Sequence, residues 1–135
     1  MKNIGIVLAI MFSAVFASCQ EREGDQAQNQ VVQLLQPQKF DDAVKAGKEV
    51  QLVDVRTQGE FSTGHLANAL NFDIQGAEFE KQVSTLSKEK PVYLYCRSGG
   101  RSARAAEQLE KMGFKQVFNM DGGIMAWKAK GLPVQ

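Results

Sequence analysis

Metal-binding residues are scarce in this chain, with one histidine and two cysteines among 135 residues. They are too few for a metal site of the usual ligand spacing, and no other cofactor is signalled. Charge of one sign is not in excess either, since 16 Lys and Arg face 15 Asp and Glu for a net charge of +1. That balance argues against a nucleic-acid partner. Long apolar runs are missing too: the longest, Ile4 to Phe16, is broken by Gly5 and Ser13 and is too short to span a bilayer. There is no internal repeat or low-complexity tract. A chain of this length predicts one domain, large enough to bury a core without staples.

What is present begins with a leader. Met1-Lys2-Asn3 is a short basic segment, Ile4 to Phe16 has the length of a signal-peptide apolar region, and small residues Ala17-Ser18 precede Cys19, which predicts a signal peptide over residues 1–18. The segment Phe16-Ala17-Ser18-Cys19 resembles a bacterial lipobox, with phenylalanine in place of the usual leucine. The resemblance implies that Cys19 is diacylated and becomes the mature N-terminus, with an ordinary cleaved signal peptide as the alternative. Gln20 to Gln30 has no apolar residue except Ala27, so residues 19–30 read as a lipidated start and flexible tether. The expected location is the bacterial cell envelope, as a lipid-anchored periplasmic or outer-membrane lipoprotein. Removing residues 1–18 takes away one charge, Lys2, and leaves 15 basic against 15 acidic residues. If Cys19 carries lipid, Cys96 is the one thiol left, with no intramolecular partner.

The folded domain, residues 31–135, is organised around Pro91 to Met112. Val92 to Tyr95 is a short run of β-formers that reads as a buried strand. Ala103, Ala106, Leu109 and Met112 then recur at helical spacing. Cys96 lies at the handover. Unpaired amides and the peptide dipoles at a helix start stabilise a thiolate there, and Gly99 and Gly100 allow successive N–H groups to converge on one point. Arg97, Arg101 and Arg104 add positive charge, with no acid before Glu107. The plainer reading, a small buried cysteine at a strand end, requires neither the glycines nor the arginines.

These residues, with Asp54-Val55-Arg56, Glu60-Phe61, Gly64-His65-Leu66 and Ala69 to Phe72 before them and Asp121-Gly122-Gly123-Ile124, Ala126-Trp127 after, resemble the rhodanese homology domain from about Val31 to Pro133. The resemblance implies a three-layer α/β fold with a mainly parallel sheet of about five strands and helices on both faces. Alternating strand and helix patterns predict the same class. It also implies a sulfurtransferase that moves a sulfane sulfur from a small anionic donor such as thiosulfate to cyanide or a thiol, through a persulfide on Cys96. Arg97, Ser98, Gly99, Gly100, Arg101 and Ser102 would hold the substrate. Asp54 and Arg56 would support the site, with Arg56 paired to Glu60. Two rivals stand beside this reading: a persulfide carrier or protein-binding module, and a cysteine-dependent phosphatase. The phosphatase loop has five residues between cysteine and arginine, whereas four separate Cys96 from Arg101 here.

Elsewhere the pattern predicts a strand over Val31 to Leu35, a helix carrying Phe40, Ala43 and Val44 and ending at Gly47, and a strand over Val50 to Val55. One helical turn over Glu60 to Gly64 leads to His65, which the resemblance makes structural rather than a general base. A short strand over Ala69 to Phe72, a helix face of Phe79, Val83 and Leu86, and a strand over Gln116 to Met120 complete the sheet. Asp121 is expected to cap a last helix that carries Trp127 as a core residue.

Overall fold

The computed structural model describes residues 30–135; the leader, Cys19 and the tether through residue 29 lie outside the described residues. Within them the chain alternates strand and helix: β1 (Val32–Leu35), α1 (Pro37–Ala46), β2 (Gln51–Asp54), α2 (Gln58–Ser62), β3 (Leu70–Asn71), α3 (Phe79–Val83), β4 (Val92–Tyr95), α4 (Gly100–Lys111), β5 (Val117–Met120) and α5 (Gly123–Ala129). All strand pairs are parallel, in the order β1-β5-β4-β2-β3. The expected five-stranded α/β architecture is therefore present.

Strand alternation divides the core in two. Val92, Leu94 and Cys96 point to one face, where they pack with Phe79 and Val83 of α3 and with Ala105, Ala106 and Leu109 of α4. Tyr93 and Tyr95 point to the other, against Phe40 of α1 and Ile124 and Trp127 of α5. Because helices cover both faces, β4 is buried at all four positions, which is why it reads as an unbroken apolar run rather than an alternating one. Trp127 is a core residue as expected, and its Nε1 donates to the Pro133 carbonyl at 2.9 Å.

Two local expectations need correction. The buried face of α4 carries Ser102, Ala105, Ala106 and Leu109, while Ala103 is exposed. A strict three-residue interval drifts around a 3.6-residue helix, and the buried stripe follows the mixed three- and four-residue steps instead. Asp121 does not cap α5. Gly122 occupies the cap position, and the Asp121 carboxylate accepts from Gln36 Nε2 at 2.6 Å, tying the start of α1 to the end of β5.

Candidate active site

Cys96 follows β4 directly, in the centre of the sheet at the carboxyl ends of the strands, where open parallel sheets collect their ligands. The turn after it reverses through Gly99 at φ 107°, and α4 starts at the next residue. The backbone thus curls around the sulfur. Cys96 Sγ accepts from the Gly99 N–H at 3.0 Å and from the Ser102 hydroxyl at 3.4 Å. Ser102 is fully buried, and its hydroxyl also lies 3.2 Å from the Gly99 carbonyl.

Burial, with 1% of the residue exposed, is the largest single influence on the thiol and opposes its ionisation. Hydrogen bonds from the Ser102 hydroxyl and from the Ser102, Gly99 and Ser98 amides together outweigh it, so the Cys96 thiol lies below its ordinary value. The cause differs from the expected one in weight: peptide N–H groups and one hydroxyl lead, not guanidinium groups. Removing that hydroxyl tests the balance. For Ser102→Ala, the acid limb of a pH profile of Cys96 alkylation should move to higher pH. The rate at neutral pH should fall by up to roughly tenfold, since a hydrogen bond to a charged group is worth about 1.5 kcal/mol. An unmoved profile would remove Ser102 from the set of groups that ionise the sulfur.

A second segment holds the loop from outside. The Ile124 amide donates to the Cys96 carbonyl at 2.9 Å and the Met125 amide to the Arg97 carbonyl at 3.1 Å. This contact needs Gly123. A Cβ there would stand 2.5 Å from the Cys96 carbonyl oxygen and 2.6 Å from that of Arg97, closer than real contacts allow. The Asp121-Gly122-Gly123 motif and the Cys96 loop are therefore joined backbone to backbone.

Arg56 does not pair with Glu60. Its Nη2 lies 2.6 Å from Asp54 Oδ2, its Nε bonds both oxygens of that carboxylate at 3.0 Å, and Nη2 also donates to the Gly64 carbonyl at 2.7 Å. Asp54 is completely buried and Arg56 nearly so. The guanidinium sits 5.7 Å from the Tyr95 ring centroid, and the Tyr95 hydroxyl accepts from the Leu66 amide at 3.0 Å. The two residues assigned a supporting role are thus an anchor for the chain between β2 and β3.

What this anchor positions was not foreseen. Thr57 caps α2, its hydroxyl accepting from the Glu60 amide at 3.2 Å while Glu60 Oε2 accepts from the Thr57 amide at 3.1 Å. The same carboxylate takes both ends of the Arg101 guanidinium, Nη1 to Oε2 and Nη2 to Oε1, each at 2.7 Å. Arg101 therefore draws the Glu60 carboxyl down to about 2. The Thr57-x-x-Glu60 spacing is a capping-box signature visible in the sequence; its partner 41 residues away is not.

The predicted substrate-holding residues divide accordingly. Gly99 and Ser102 touch the sulfur, Ser98 acts through its amide, and Gly100 begins the helix. Arg97 is exposed, and the Arg101 head group is committed to Glu60. His65 turns elsewhere: Nδ1 lies 3.0 Å from the Phe61 carbonyl and the ring stacks on Phe61 at 3.8 Å. That is a structural place.

Comparison with known proteins accords with this geometry. The profile of the family described as Rhodanese-like domain matches residues 36–130. A protein of Allochromatium vinosum named sulfurtransferase is 38% identical over 87 residues, covering 64% of this chain and 79% of that one. A thiosulfate sulfurtransferase of Coxiella burnetii is 37% identical over 82 residues, covering 61% and 75%. Among solved structures, a rhodanese-related protein of Thermoplasma volcanium superposes with a TM-score of 0.67 at 30% identity, covering 76% of this chain and 97% of its own.

Proposed function

The chain belongs to the rhodanese-like domain family, and from that premise we propose that it is a sulfurtransferase working through a persulfide on Cys96. One observation carries the proposal: a nearly buried sulfur, lowered toward its anion, at the focus of the Gly99, Ser98 and Ser102 amides and the Ser102 hydroxyl. The Cys96 thiolate attacks the outer sulfur of an anionic sulfane-sulfur donor, of which thiosulfate is the simplest. The donor S–S bond breaks, sulfite leaves with its electron pair, and a Cys96 persulfide remains. A thiol or cyanide then takes the outer sulfur and returns the thiolate. The turn of N–H groups from Arg97 to Ser102 is suited to hold the added negative sulfur. Four residues between Cys96 and Arg101 close a ring sized for one sulfur rather than a tetrahedral phosphate.

Two half-reactions through one enzyme form give ping-pong kinetics. The test is mass spectrometry of the protein after incubation with a sulfane-sulfur donor. A gain of one sulfur atom on the peptide bearing Cys96, lost again on adding cyanide, is expected. Hydrolysis of p-nitrophenyl phosphate without any such adduct would favour the phosphatase instead.

We extend the proposal to the leader on the sequence pattern alone: residues 1–18 are removed and Cys19 is diacylated, placing the domain at an envelope membrane. The mature N-terminal peptide of protein expressed in a bacterial host should begin at Cys19 and carry the diacylglyceryl mass. Cys19→Ala should leave the membrane fraction. An unmodified N-terminus cleaved at another position would rule the anchor out.

A further inference from the structure

The electrostatics of the loop pose a question that the persulfide reading leaves open. A rigid guanidinium at the rim of an anion-binding loop normally recognises a doubly charged oxyanion. Here that guanidinium is occupied: both terminal nitrogens of Arg101 are held by Glu60 at 2.7 Å. Glu60 is itself fixed, because its Oε2 also accepts from the Thr57 amide and hydroxyl at 3.1 and 3.0 Å. The pair is partly shielded from water, with side-chain exposures of 18% for Arg101 and 31% for Glu60. Asp73 adds a second negative charge to the surroundings of Arg101. Arg97 and Arg104 are exposed and make no ion pair among the described residues.

We propose that Glu60 is a specificity-determining residue: by holding the Arg101 guanidinium in a two-pronged ion pair, it withholds that one counter-charge from a dianionic donor and favours singly charged sulfane-sulfur donors. Hydropersulfides and thiosulfonates are the chemical class meant. With a thiosulfonate, the Cys96 thiolate attacks the terminal sulfur, the S–S bond breaks, and the sulfinate leaves with its electron pair. One negative charge then stays on the persulfide and one on the leaving group, against two on sulfite when thiosulfate reacts. This inference rests on the persulfide reading above.

Methanethiosulfonate and thiosulfate make a matched pair of probes, since a methyl group in one replaces an O⁻ in the other. Glu60→Gln is the informative variant. Glutamine serves at this position of a capping box as glutamate does, so the cap of α2 survives while the carboxylate charge is removed. For that variant, the ratio of kcat/KM with thiosulfate to kcat/KM with methanethiosulfonate should rise by roughly three- to tenfold, the effect of removing one like charge a few ångströms from the extra charge of the dianion. The gain should shrink in high salt and disappear in Glu60→Gln/Arg101→Gln, where no guanidinium remains to be freed. A merely loosened loop would depress both donors together and leave the ratio in place. An unchanged ratio in Glu60→Gln, with Cys96 persulfide forming from both donors, overturns this inference alone. Failure of both donors to label Cys96 in the unsubstituted protein overturns the persulfide reading and this inference with it.

Discussion

Cys96→Ser is expected to abolish sulfur transfer, with the turnover rate falling by at least roughly 10³-fold to the uncatalysed background, as when other covalent nucleophiles are removed. The substitution changes a single atom in a side chain that is 1% exposed and belongs to the same core cluster as Leu94 and Ala105, so the fold should persist. What is lost is the anion. The cradle of amides around Sγ holds the Cys96 thiol below its ordinary value, but a serine hydroxyl stays protonated under the same dipoles and presents neither a thiolate nor a sulfur to carry the cargo. Circular dichroism should match the unsubstituted protein, and no gain of one sulfur mass should follow treatment with a donor. Transfer at more than a tenth of the original rate, or a persulfide found on the serine variant, would show that the chemistry lies elsewhere in the chain.

Asp54→Ala should cost the most in stability, about 3–5 kcal/mol, because it leaves a buried guanidinium without its counter-charge. Asp54 is 0% exposed and Arg56 4%, and three of the contacts between them lie at 3.0 Å or less. Neither group has water to turn to. Against a net stability of about 5–15 kcal/mol for an ordinary domain, such a loss would leave much of the population unfolded at moderate temperature. Urea denaturation of both proteins measures it. A difference below about 1 kcal/mol would mean that Arg56 finds another route to solvent, contrary to its burial beneath the Gly64 carbonyl and Tyr95.

The Glu60–Arg101 pair gives a pH dependence whose sign is fixed. The folded Glu60 carboxyl lies near 2, below its ordinary value of 4.5, so the pair's contribution to stability is fully present above the unfolded value. It disappears as pH falls through the interval between the two. The stability difference between the unsubstituted protein and Glu60→Gln should therefore be constant near neutrality and vanish in strong acid, a comparison open to thermal melts across that range.

Much of the site was legible because its signals are local. An apolar run bounded by Pro91, a cysteine at its end, a glycine pair and then helical periodicity occupy consecutive residues, so strand, turn and helix could be placed with no knowledge of the rest. The pairing of Arg56 was misread for a definable reason. Ion pairs four residues apart require both residues to lie in one helix, but α2 begins only after Thr57, so Arg56 precedes it. From the end of β2 its side chain reaches back to Asp54 instead. Glu60, left free, meets an arginine in the first turn of α4, the helix that follows the neighbouring strand β4.

By itself the sequence determined the class of the fold, the position of Cys96 at a strand-to-helix turn, and the supply of amides able to lower its thiol, since each follows from hydrogen bonds and periodicities that span a few residues. The tertiary structure alone decided which charges face the sulfur: it placed α2 against the Cys96 loop, gave Arg101 to Glu60, and brought Gly123 to the Cys96 carbonyl. Electrostatic and hydrogen-bond energies fall off within a few ångströms. Partners 27 or 41 positions apart in the chain therefore acquire their roles only when the sheet has set the distance between them.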